Sequence, residues 1–279
     1  ILCAPDAYEI QESSMQILNT IHTAARITEG IAAQMRHPFT SAVILAGGIG
    51  SRMREGSAHA DNAPSTKQFL SLEGEPVILH TIRSFEACPS IDEIILVVRE
   101  EERPLYRPML IDAEITKVTK IVAGGETRQD SAYAGLLAVD RSCAFIAIHD
   151  GARPLITPEQ ITAVAREAYR IGAAAAASRV KDTVKITDGP GYVRETPDRS
   201  TVWAASTPQI FKVEEYRASV YLGRESKRSV TDDCSLVEAV GFPVKMVDIG
   251  YQNLKITTRE DLYFAKAILQ MRRDGGELR

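Results

Sequence analysis

The sequence has few cysteines, and their spacing excludes the sites that cysteines usually build. The four are Cys3, Cys88, Cys143 and Cys234, and no two of them form a C-x-x-C pair. A chain of 279 residues can bury a hydrophobic core without disulfide cross-links. We therefore expect free thiols in a reducing compartment and no structural zinc, which predicts a cytoplasmic protein.

Net positive charge and long apolar runs are also absent. The formal net charge is -4 at pH 7, so no general attraction to nucleic acid or to an anionic membrane is expected. No apolar run approaches the roughly 20 residues that span a bilayer. The sequence predicts neither a nucleic-acid partner nor a membrane partner, and any anion-binding site must be built from local groups.

Residues 1–40 differ in pattern from the rest of the chain. Ser13 and Gln16 fit a capping box, and Ile17 and Ile21 then fall on one face of a helix. This pattern predicts a helical N-terminal extension, with a partly disordered leader as the alternative. It contains no residue pattern that indicates chemistry.

From residue 41 onward, short apolar runs alternate with helical patterns. The predicted strands are Ala42–Leu45, Ile91–Val98, Thr119–Gly124, Ala144–Asp150, Ala173–Ala177 and Val244–Ile249. The predicted helices are Pro76–Phe85, Thr127–Val139, Pro158–Ile171, Thr231–Val240 and Arg259–Met271. Such an alternation is typical of a mostly parallel sheet covered by helices on both faces. The predicted fold class is α/β, with residues 41–279 as one domain.

Two neighbouring segments of this domain need separate arguments. The five alanines of Ala173–Ala177 favour a helix by propensity, but the preceding Gly172 and the polar stretch that follows favour a buried strand. The segment Lys181–Thr196 predicts a hairpin that turns at residues 188–191. An arm over residues 181–200 would expose a strand edge, and pairing with a second subunit is a common way to cover one.

A glycine-rich turn follows the first predicted strand, in the stretch LAGGIGSRM. Gly48 and Gly50 fit the start of the dinucleotide pattern G-x-G-x-x-G, but Met53 stands at its third glycine position. The P-loop pattern also fails, because Ser51 rather than lysine follows Gly50. What remains is a turn whose backbone N–H groups can approach phosphate oxygens closely, since glycine has no Cβ.

Two cations stand near this turn. Arg52 follows it directly and can make a bidentate contact with phosphate, and Lys67 can add a second positive charge. Two cations beside a glycine loop suit a triphosphate on which charge builds at the α-phosphorus. The turn and its cations therefore predict a triphosphate-binding site.

Two further motifs end later strands. Gly124–Ser131, with the sequence GGETRQDS, is a glycine turn entering a helix, and its alternative interpretation is a simple helix N-terminus. His149–Pro154, with the sequence HDGARP, places Asp150 where open α/β sheets bind ligands. Mg²⁺ prefers one or two carboxylates together with substrate phosphates, so Asp150 is a candidate Mg²⁺ ligand. His149 itself fits a packed strand residue.

Taken together, the motifs resemble one enzyme family over residues 42–262. They are LAGGIGSRM, TKQF, GGETRQDS, HDGARP, VKDTVK, ETPDRSTVWAASTPQIF, VTDDCSLVE and NLKITTREDL, in that order. This set closely resembles the 2-C-methyl-D-erythritol 4-phosphate cytidylyltransferase family of the non-mevalonate isoprenoid pathway. The resemblance implies a Rossmann-like nucleotidyltransferase domain and a homodimer formed through the arm. It also implies attack of a sugar-alcohol phosphate on the α-phosphorus of CTP, with Mg²⁺ as cofactor.

The resemblance also implies a role for individual residues. Arg52 and Lys67 would stabilise the transition state, Lys255 and Arg199 of the neighbouring subunit would position the attacking phosphate, and Asp150 would bind Mg²⁺. The implied nucleotide-binding residues are Ala46, Gly47, Gly48, Gly50, Gly125, Glu126, Ser131 and Gly151. The implied substrate-binding residues are Arg153, Thr183, Arg199, Thr207, Thr231 and Lys255.

The sequence departs from the family pattern before Lys67. Thr66 stands where the family usually has proline, and the loop between Arg52 and Lys67 is longer than usual. Loops that close over substrates tolerate such changes, so we expect a lid. Two alternatives stay open: a cytidylyltransferase acting on ribitol 5-phosphate, and a protein that binds CTP without turnover.

Overall fold

The computed structural model describes residues 37–48, 67–226 and 230–275. Residues from Phe39 onward belong to one compact unit. The predicted N-terminal extension lies outside the described residues except for its last four, so it stays a prediction. The same holds for Gly50 and Arg52 and for the loop that follows them.

Within the described residues, seven strands form the main sheet and four short strands form two hairpins. The main-sheet strands are β1 (Thr40–Leu45), β4 (Glu93–Val98), β5 (Val118–Ala123), β6 (Phe145–Asp150), β7 (Ala173–Arg179), β10 (Trp203–Lys212) and β11 (Lys245–Asp248). The hairpin strands are β2 (Ser71–Leu72), β3 (Glu75–Pro76), β8 (Ile186–Thr187) and β9 (Val193–Glu195).

The helices are α1 (Val77–Ala87), α2 (Arg103–Asp112), α3 (Arg128–Ala138), α4 (Pro158–Ile171), α5 (Val213–Glu225), α6 (Cys234–Ala239) and α7 (Glu260–Arg273). Short 3-10 turns lie at Lys67–Phe69, Glu100–Glu102 and Arg199–Thr201. No helix in the described part of the chain is both long and apolar enough to cross a bilayer.

The strand order of the main sheet is β11-β7-β10-β6-β1-β4-β5. β1 pairs in parallel with both β4 and β6, and β4 pairs in parallel with β5. Among the described strands of the main sheet, only β10 is antiparallel to its neighbours, which are β6 and β7. The mostly parallel α/β sheet that the sequence predicts is thus confirmed, and the carboxyl ends of four adjacent strands lie along one edge.

Helices cover both faces of this sheet, because its strands are apolar on both sides. Ala42 and Ile44 of β1 belong to the core that also contains residues of α1, α2 and α4. Val43 points the other way, into the core formed with α3, α5 and α6. Cys88, Cys143 and Cys234 are buried free thiols, as expected.

The five alanines form the buried strand β7, as predicted, and the hairpin of β8 and β9 is also confirmed in a shorter form. Its turn is closed by Asp188, whose carbonyl accepts from the Gly191 N–H at 3.1 Å and whose carboxylate accepts from the Tyr192 N–H at 2.9 Å. Gly191 has a φ of 96°, which favours glycine.

Helix α6 begins later than predicted, at Cys234 rather than Thr231. The reason is a competing hydrogen bond, because the N–H groups of Asp233 and Cys234 donate to the side-chain oxygen of Gln209 at 3.0 and 3.1 Å. Gln209 lies on β10, so a strand distant in sequence fixes the start of this helix.

Candidate active site

A cavity of about 690 Å³ opens at the carboxyl ends of β1, β4, β5 and β6. This is the edge where open α/β sheets bind their ligands. Eight of the predicted site residues line it: Gly47, Gly48, Lys67, Gly125, Glu126, Ser131, Asp150 and Lys255. The strand ends therefore bring together residues that are up to 208 positions apart in the sequence.

Asp150, at the end of β6, lies among three cations. Its Oδ2 is 2.9 Å from Lys255 Nζ and 3.3 Å from Arg153 Nε, and its Oδ1 is 3.5 Å from Arg128 Nε. Burial alone would raise the pKa of this carboxyl, but Lys255, Arg128 and Arg153 outweigh it and hold the pKa below its usual range. Asp150 is therefore an ionised carboxylate at neutral pH.

The segment before α7 brings Lys255 to this carboxylate. The Asn253 side-chain amide donates to the Thr207 carbonyl at 2.8 Å, and the Asn253 carbonyl accepts from Arg153 Nη1 at 2.8 Å. One residue beyond Lys255, the Ile256 N–H donates to the Ala152 carbonyl at 2.8 Å. Lys67 Nζ donates to the Ile256 carbonyl at 3.0 Å. Both predicted catalytic lysines are thus held at the cavity by one segment, which contains Lys255 and binds Lys67 through the Ile256 carbonyl.

Hydrogen bonds through Thr207 connect the Asp150 backbone to the buried His149. The Thr207 hydroxyl accepts from the Asp150 N–H at 3.0 Å and lies 3.1 Å from His149 Nδ1. His149 Nε2 lies 3.5 Å from the Arg153 carbonyl, which can only accept, so Nε2 carries the proton and Nδ1 accepts from Thr207. Burial lowers the pKa of His149 to about 3, so the ring is neutral. His149 is a packed strand residue, as predicted.

The second glycine turn closes onto the first turn of α3. A Cβ on Gly125 would clash with the Cβ of Asp130, so this position requires glycine. One on Gly124 would lie 2.8 Å from Ser131 Oγ and would displace that hydroxyl. The Gly125 N–H donates to Ser131 Oγ at 3.2 Å, and this hydroxyl donates to the Thr127 carbonyl at 3.0 Å. Thr127 and Asp130 form a capping box at the helix start.

Arg128 connects the cavity to a buried carboxylate. Its Nη1 donates to Asp233 Oδ2 at 2.6 Å, and the other oxygen of Asp233 accepts from the Tyr216 hydroxyl at 2.7 Å. Asp233 is 1% exposed. Burial opposes the charge on Arg128, but Asp233 and Asp150 outweigh it and raise the pKa of the guanidinium. Arg128 therefore stays charged and is held from both sides.

Several predicted residues lie behind the cavity or away from it. Ala46 and Gly151 are buried, and a Cβ on Gly151 would lie 3.0 Å from the Leu45 carbonyl, so this glycine lets β1 and the turn after β6 approach each other. Thr183, Arg199 and Thr231 are exposed and do not line the cavity of their own chain. The Arg199 guanidinium donates to the Lys181 carbonyl at 2.8 Å, at the base of the arm.

The sequence interpretation assigned no role to Arg99 and Asp233. Arg99 directly follows β4 and lines the cavity. Its position after a buried strand, level with the glycine turns, was the signal that could have identified it. For Asp233 no comparable signal exists, because its contact with Arg128 spans 105 residues.

A Mg²⁺ site must use Asp150 and few other protein groups. Among the described residues, no three or more histidines, cysteines, aspartates or glutamates are grouped as a metal site would require. Mg²⁺ needs only one or two carboxylates when substrate phosphates complete its coordination. The ionised Asp150 carboxylate fits the ion in that form, with a triphosphate as the other ligand.

Comparison with known proteins assigns the chain to a family. The family model described as "IspD: 2-C-methyl-D-erythritol 4-phosphate cytidylyltransferase" matches residues 40–271. The protein named 2-C-methyl-D-erythritol 4-phosphate cytidylyltransferase from Desulforamulus reducens is 43% identical over 232 residues, which are 83% of this chain and 96% of that protein. The protein of the same name from Pelotomaculum thermopropionicum is 42% identical over 233 residues, covering 83% and 94% of the two chains.

Solved structures agree with the sequence comparison. The crystal structure of 4-diphosphocytidyl-2C-methyl-D-erythritol synthase from Anaerococcus prevotii superimposes with a TM-score of 0.72 at 34% identity, covering 83% of this chain and 98% of that one. The cytidylyltransferase from Thermus thermophilus gives a TM-score of 0.65 at 26% identity, covering 82% and 98%. The chain therefore belongs to the 2-C-methyl-D-erythritol 4-phosphate cytidylyltransferase family.

Proposed function

We propose that this chain transfers the cytidylyl group of CTP to 2-C-methyl-D-erythritol 4-phosphate and releases pyrophosphate. Family membership assigns it CTP-dependent cytidylyl transfer in isoprenoid biosynthesis. The observation that best supports the individual roles is the Asp150 carboxylate surrounded by Lys255, Arg153 and Arg128, beside two glycine turns. A carboxylate among cations next to backbone donors suits two phosphorylated substrates that must meet.

The side chains divide this work by position. Lys67 and Lys255, together with Arg52, supply positive charge for the phosphates, and such charge matters most when negative charge increases in the transition state. Lys255 lines the cavity and its side chain is 37% exposed, so its ammonium can leave Asp150 for a substrate phosphate. The buried Thr207 and His149 keep the Asp150 backbone fixed while that exchange takes place. Holding both phosphates in one orientation then lowers the entropic cost of the attack.

We also propose that Asp150 holds Mg²⁺ together with the triphosphate. When bound, the ion would neutralise phosphate charge and polarise the α-phosphoryl group. The three cations around Asp150 already neutralise it without a ligand, so the ion should bind with the nucleotide rather than alone.

The proposed reaction is tested by measuring pyrophosphate release with CTP and Mg²⁺, in parallel reactions with 2-C-methyl-D-erythritol 4-phosphate and ribitol 5-phosphate. We expect release with the first acceptor and at least about tenfold less with the second. Release with ribitol 5-phosphate alone would keep the chemistry and overturn the acceptor. No release with either, despite measurable CTP binding, would place the chain among nucleotide-binding proteins without turnover.

A homodimer formed through the arm would explain why Arg199 is distant from its own cavity. The hairpin exposes Ile186, Tyr192 and Val193, with Tyr192 at 75% exposure, and such apolar groups on a two-stranded arm suit burial against a second copy. We propose that Arg199 of one chain reaches the acceptor phosphate in the cavity of the other. We also propose a cytoplasmic location, since the buried cysteines are free thiols, as in a reducing compartment.

The dimer proposal predicts complementation between two inactive variants. Arg199→Ala and Asp150→Asn should each inactivate the homodimer, whereas a mixed dimer keeps one site with both residues intact. After unfolding and refolding an equimolar mixture, random pairing should restore about one quarter of the wild-type specific activity. Refolding each variant alone is the control. An inactive mixture, with mixed dimers verified by mass spectrometry, would contradict the shared site.

A further inference from the structure

Asn253 lies two residues before Lys255, in the segment that precedes α7, and has no assigned role in the reaction. It is 6% exposed and does not line the active-site cavity. A buried side chain behind the cavity does not touch substrate. Any effect of Asn253 on the reaction therefore passes through the groups that it holds.

The Asn253 side chain acts as a hydrogen-bond donor. Its nitrogen donates to the Thr207 carbonyl at 2.8 Å and to Ser206 Oγ at 3.4 Å. Because a carbonyl can only accept, the first contact identifies the nitrogen end of the amide. The other end, Oδ1, is buried and has no hydrogen-bond partner in the described part of the chain. A buried acceptor without a partner costs free energy, so the donor end is what this position requires.

Both ends of this residue lead to Asp150. The side chain reaches it through Thr207, whose hydroxyl accepts from the Asp150 N–H at 3.0 Å. The backbone reaches it through Arg153, which donates to the Asn253 carbonyl at 2.8 Å and lies 3.3 Å from the Asp150 carboxylate. Lys255 Nζ closes the circuit at 2.9 Å from that carboxylate. Asn253 therefore sets the position of the Lys255 backbone relative to the ends of β6 and β10.

The groups on the nucleotide side are held independently of Asn253. The Ile256 N–H donates to the Ala152 carbonyl at 2.8 Å, so the carbonyl that accepts from Lys67 has its own support. The second glycine turn is held by hydrogen bonds to β4 and to the first turn of α3. Loss of the Asn253 amide should therefore displace Lys255 and leave the nucleotide-binding groups in place.

We propose that Asn253 is a positioning residue that holds Lys255 for the acceptor phosphate and has no part in binding CTP. In the proposed reaction the Lys255 ammonium leaves Asp150 for that phosphate, so its backbone must stay fixed while the side chain moves. The hydrogen bonds of Asn253 to β10 and to Arg153 fix it from two residues away. This inference rests on the proposed function.

The test uses two variants that remove the donor. Asn253→Leu is similar in size and apolar, and Asn253→Asp keeps the shape but presents an oxygen to the Thr207 carbonyl. Pyrophosphate release would be measured against acceptor concentration at saturating CTP, and CTP affinity by calorimetry. We expect kcat/KM for the acceptor to fall about 30-fold in both variants, since a displacement of about 1 Å costs up to about 10²-fold. The Kd for CTP should stay within about twofold of the wild type.

Gln252→Leu is the matched control, because Gln252 is the neighbouring amide, accepts from Arg272 Nε at 2.9 Å and does not line the cavity. It should keep wild-type kinetics. Urea denaturation of each variant separates loss of folded protein from loss of function. Equal losses in CTP affinity and in kcat/KM for the acceptor would show a purely structural role and overturn the inference, as would wild-type kinetics in Asn253→Leu. If Asn253→Leu does not fold, Asn253→Asp gives the same comparison.

Failure of the proposed function gives a different result. A wild type that releases no pyrophosphate with 2-C-methyl-D-erythritol 4-phosphate would overturn the function. Titrating this compound into the CTP-bound wild type and Asn253→Leu would still test the inference. Binding should be about tenfold weaker in the variant, as expected for one weakened charge-assisted contact. Equal affinities would overturn the inference alone, and a wild type that does not bind the compound would overturn both.

Discussion

Replacing Asp150 by asparagine is expected to reduce kcat about 10³-fold, and to leave the affinity for CTP in the absence of Mg²⁺ unchanged or higher. The substitution removes the carboxylate proposed to hold the ion. It also removes the negative charge that neutralises Lys255, Arg153 and Arg128. Loss of a group that acts on the transition state costs roughly 10² to 10³ in rate, and a lost metal ligand adds to that. Binding of the triphosphate itself should gain from the unbalanced cations.

Calorimetry with CTP, with and without Mg²⁺, and steady-state kinetics would measure both effects. The enhancement of CTP affinity by Mg²⁺ should disappear in Asp150→Asn. Asp248→Asn is the matched control, because Asp248 is an exposed aspartate that ends β11 of the same sheet, away from the cavity. A decrease in kcat of less than about tenfold, with Mg²⁺ still enhancing the affinity for CTP, would show that Asp150 does not hold the ion.

Replacing Arg128 by methionine is expected to lower the free energy of unfolding by about 3 kcal/mol. The change leaves Asp233, which is 1% exposed, as a buried carboxylate whose remaining side-chain partner is the Tyr216 hydroxyl. Removing one partner of a buried ion pair typically costs about 3–5 kcal/mol, because the other charge stays desolvated. The partial exposure of Arg128 itself, at 30%, places the expectation at the lower end of that range.

Urea denaturation would measure this loss, with Arg224→Met as the control. Arg224 also pairs with an aspartate, at 2.8 Å from Asp130, but that pair is 48% and 36% exposed. Exposed ion pairs contribute at most about 1 kcal/mol, so the free energy of unfolding of Arg224→Met should stay close to that of the wild type. Equal losses in the two variants would mean that water reaches Asp233 once Arg128 is removed.

The strands and helices that the sequence predicts are those with regular apolar patterns. Helix α4 has the predicted bounds, because Thr157 and Gln160 form a capping box at its start and Gly172 follows its end with a φ of 100°. Strand β7 could be predicted against its alanine content, since Gly172 separates it from the helix. Local signals were sufficient for these elements.

The elements without a prediction lack such signals. Helix α2 contains Pro104 in its first turn and Pro108 in its interior, which break the helical pattern. Strand β10 contains polar residues and Pro208, yet it lies between β6 and β7 in the centre of the sheet. Its place depends on pairing with strands distant in sequence, which no local pattern encodes.

The same distinction applies to the site. The glycine turns and Asp150 could be brought together in advance, because the carboxyl ends of parallel strands share one edge. Lys67 stands near the first glycine turn in the sequence, and the resemblance added Lys255. The second ion pair of Arg128 could not, since Asp233 reaches it only through the packing of α5 and α6. Pairings of this kind depend on tertiary contacts.

Close packing between α3 and the sheet limits how this enzyme can be engineered. A Cβ on Gly135 would lie 2.2 Å from a methyl group of Val43, so α3 can approach β1 this closely only with glycine at that position. The same helix carries Arg128 and Ser131 in its first turn. Replacing helical glycines by alanine is a standard way to raise thermal stability. Here that replacement would displace the helix from the sheet and its first turn from the nucleotide, so programmes that seek a heat-resistant biocatalyst should leave position 135 unchanged.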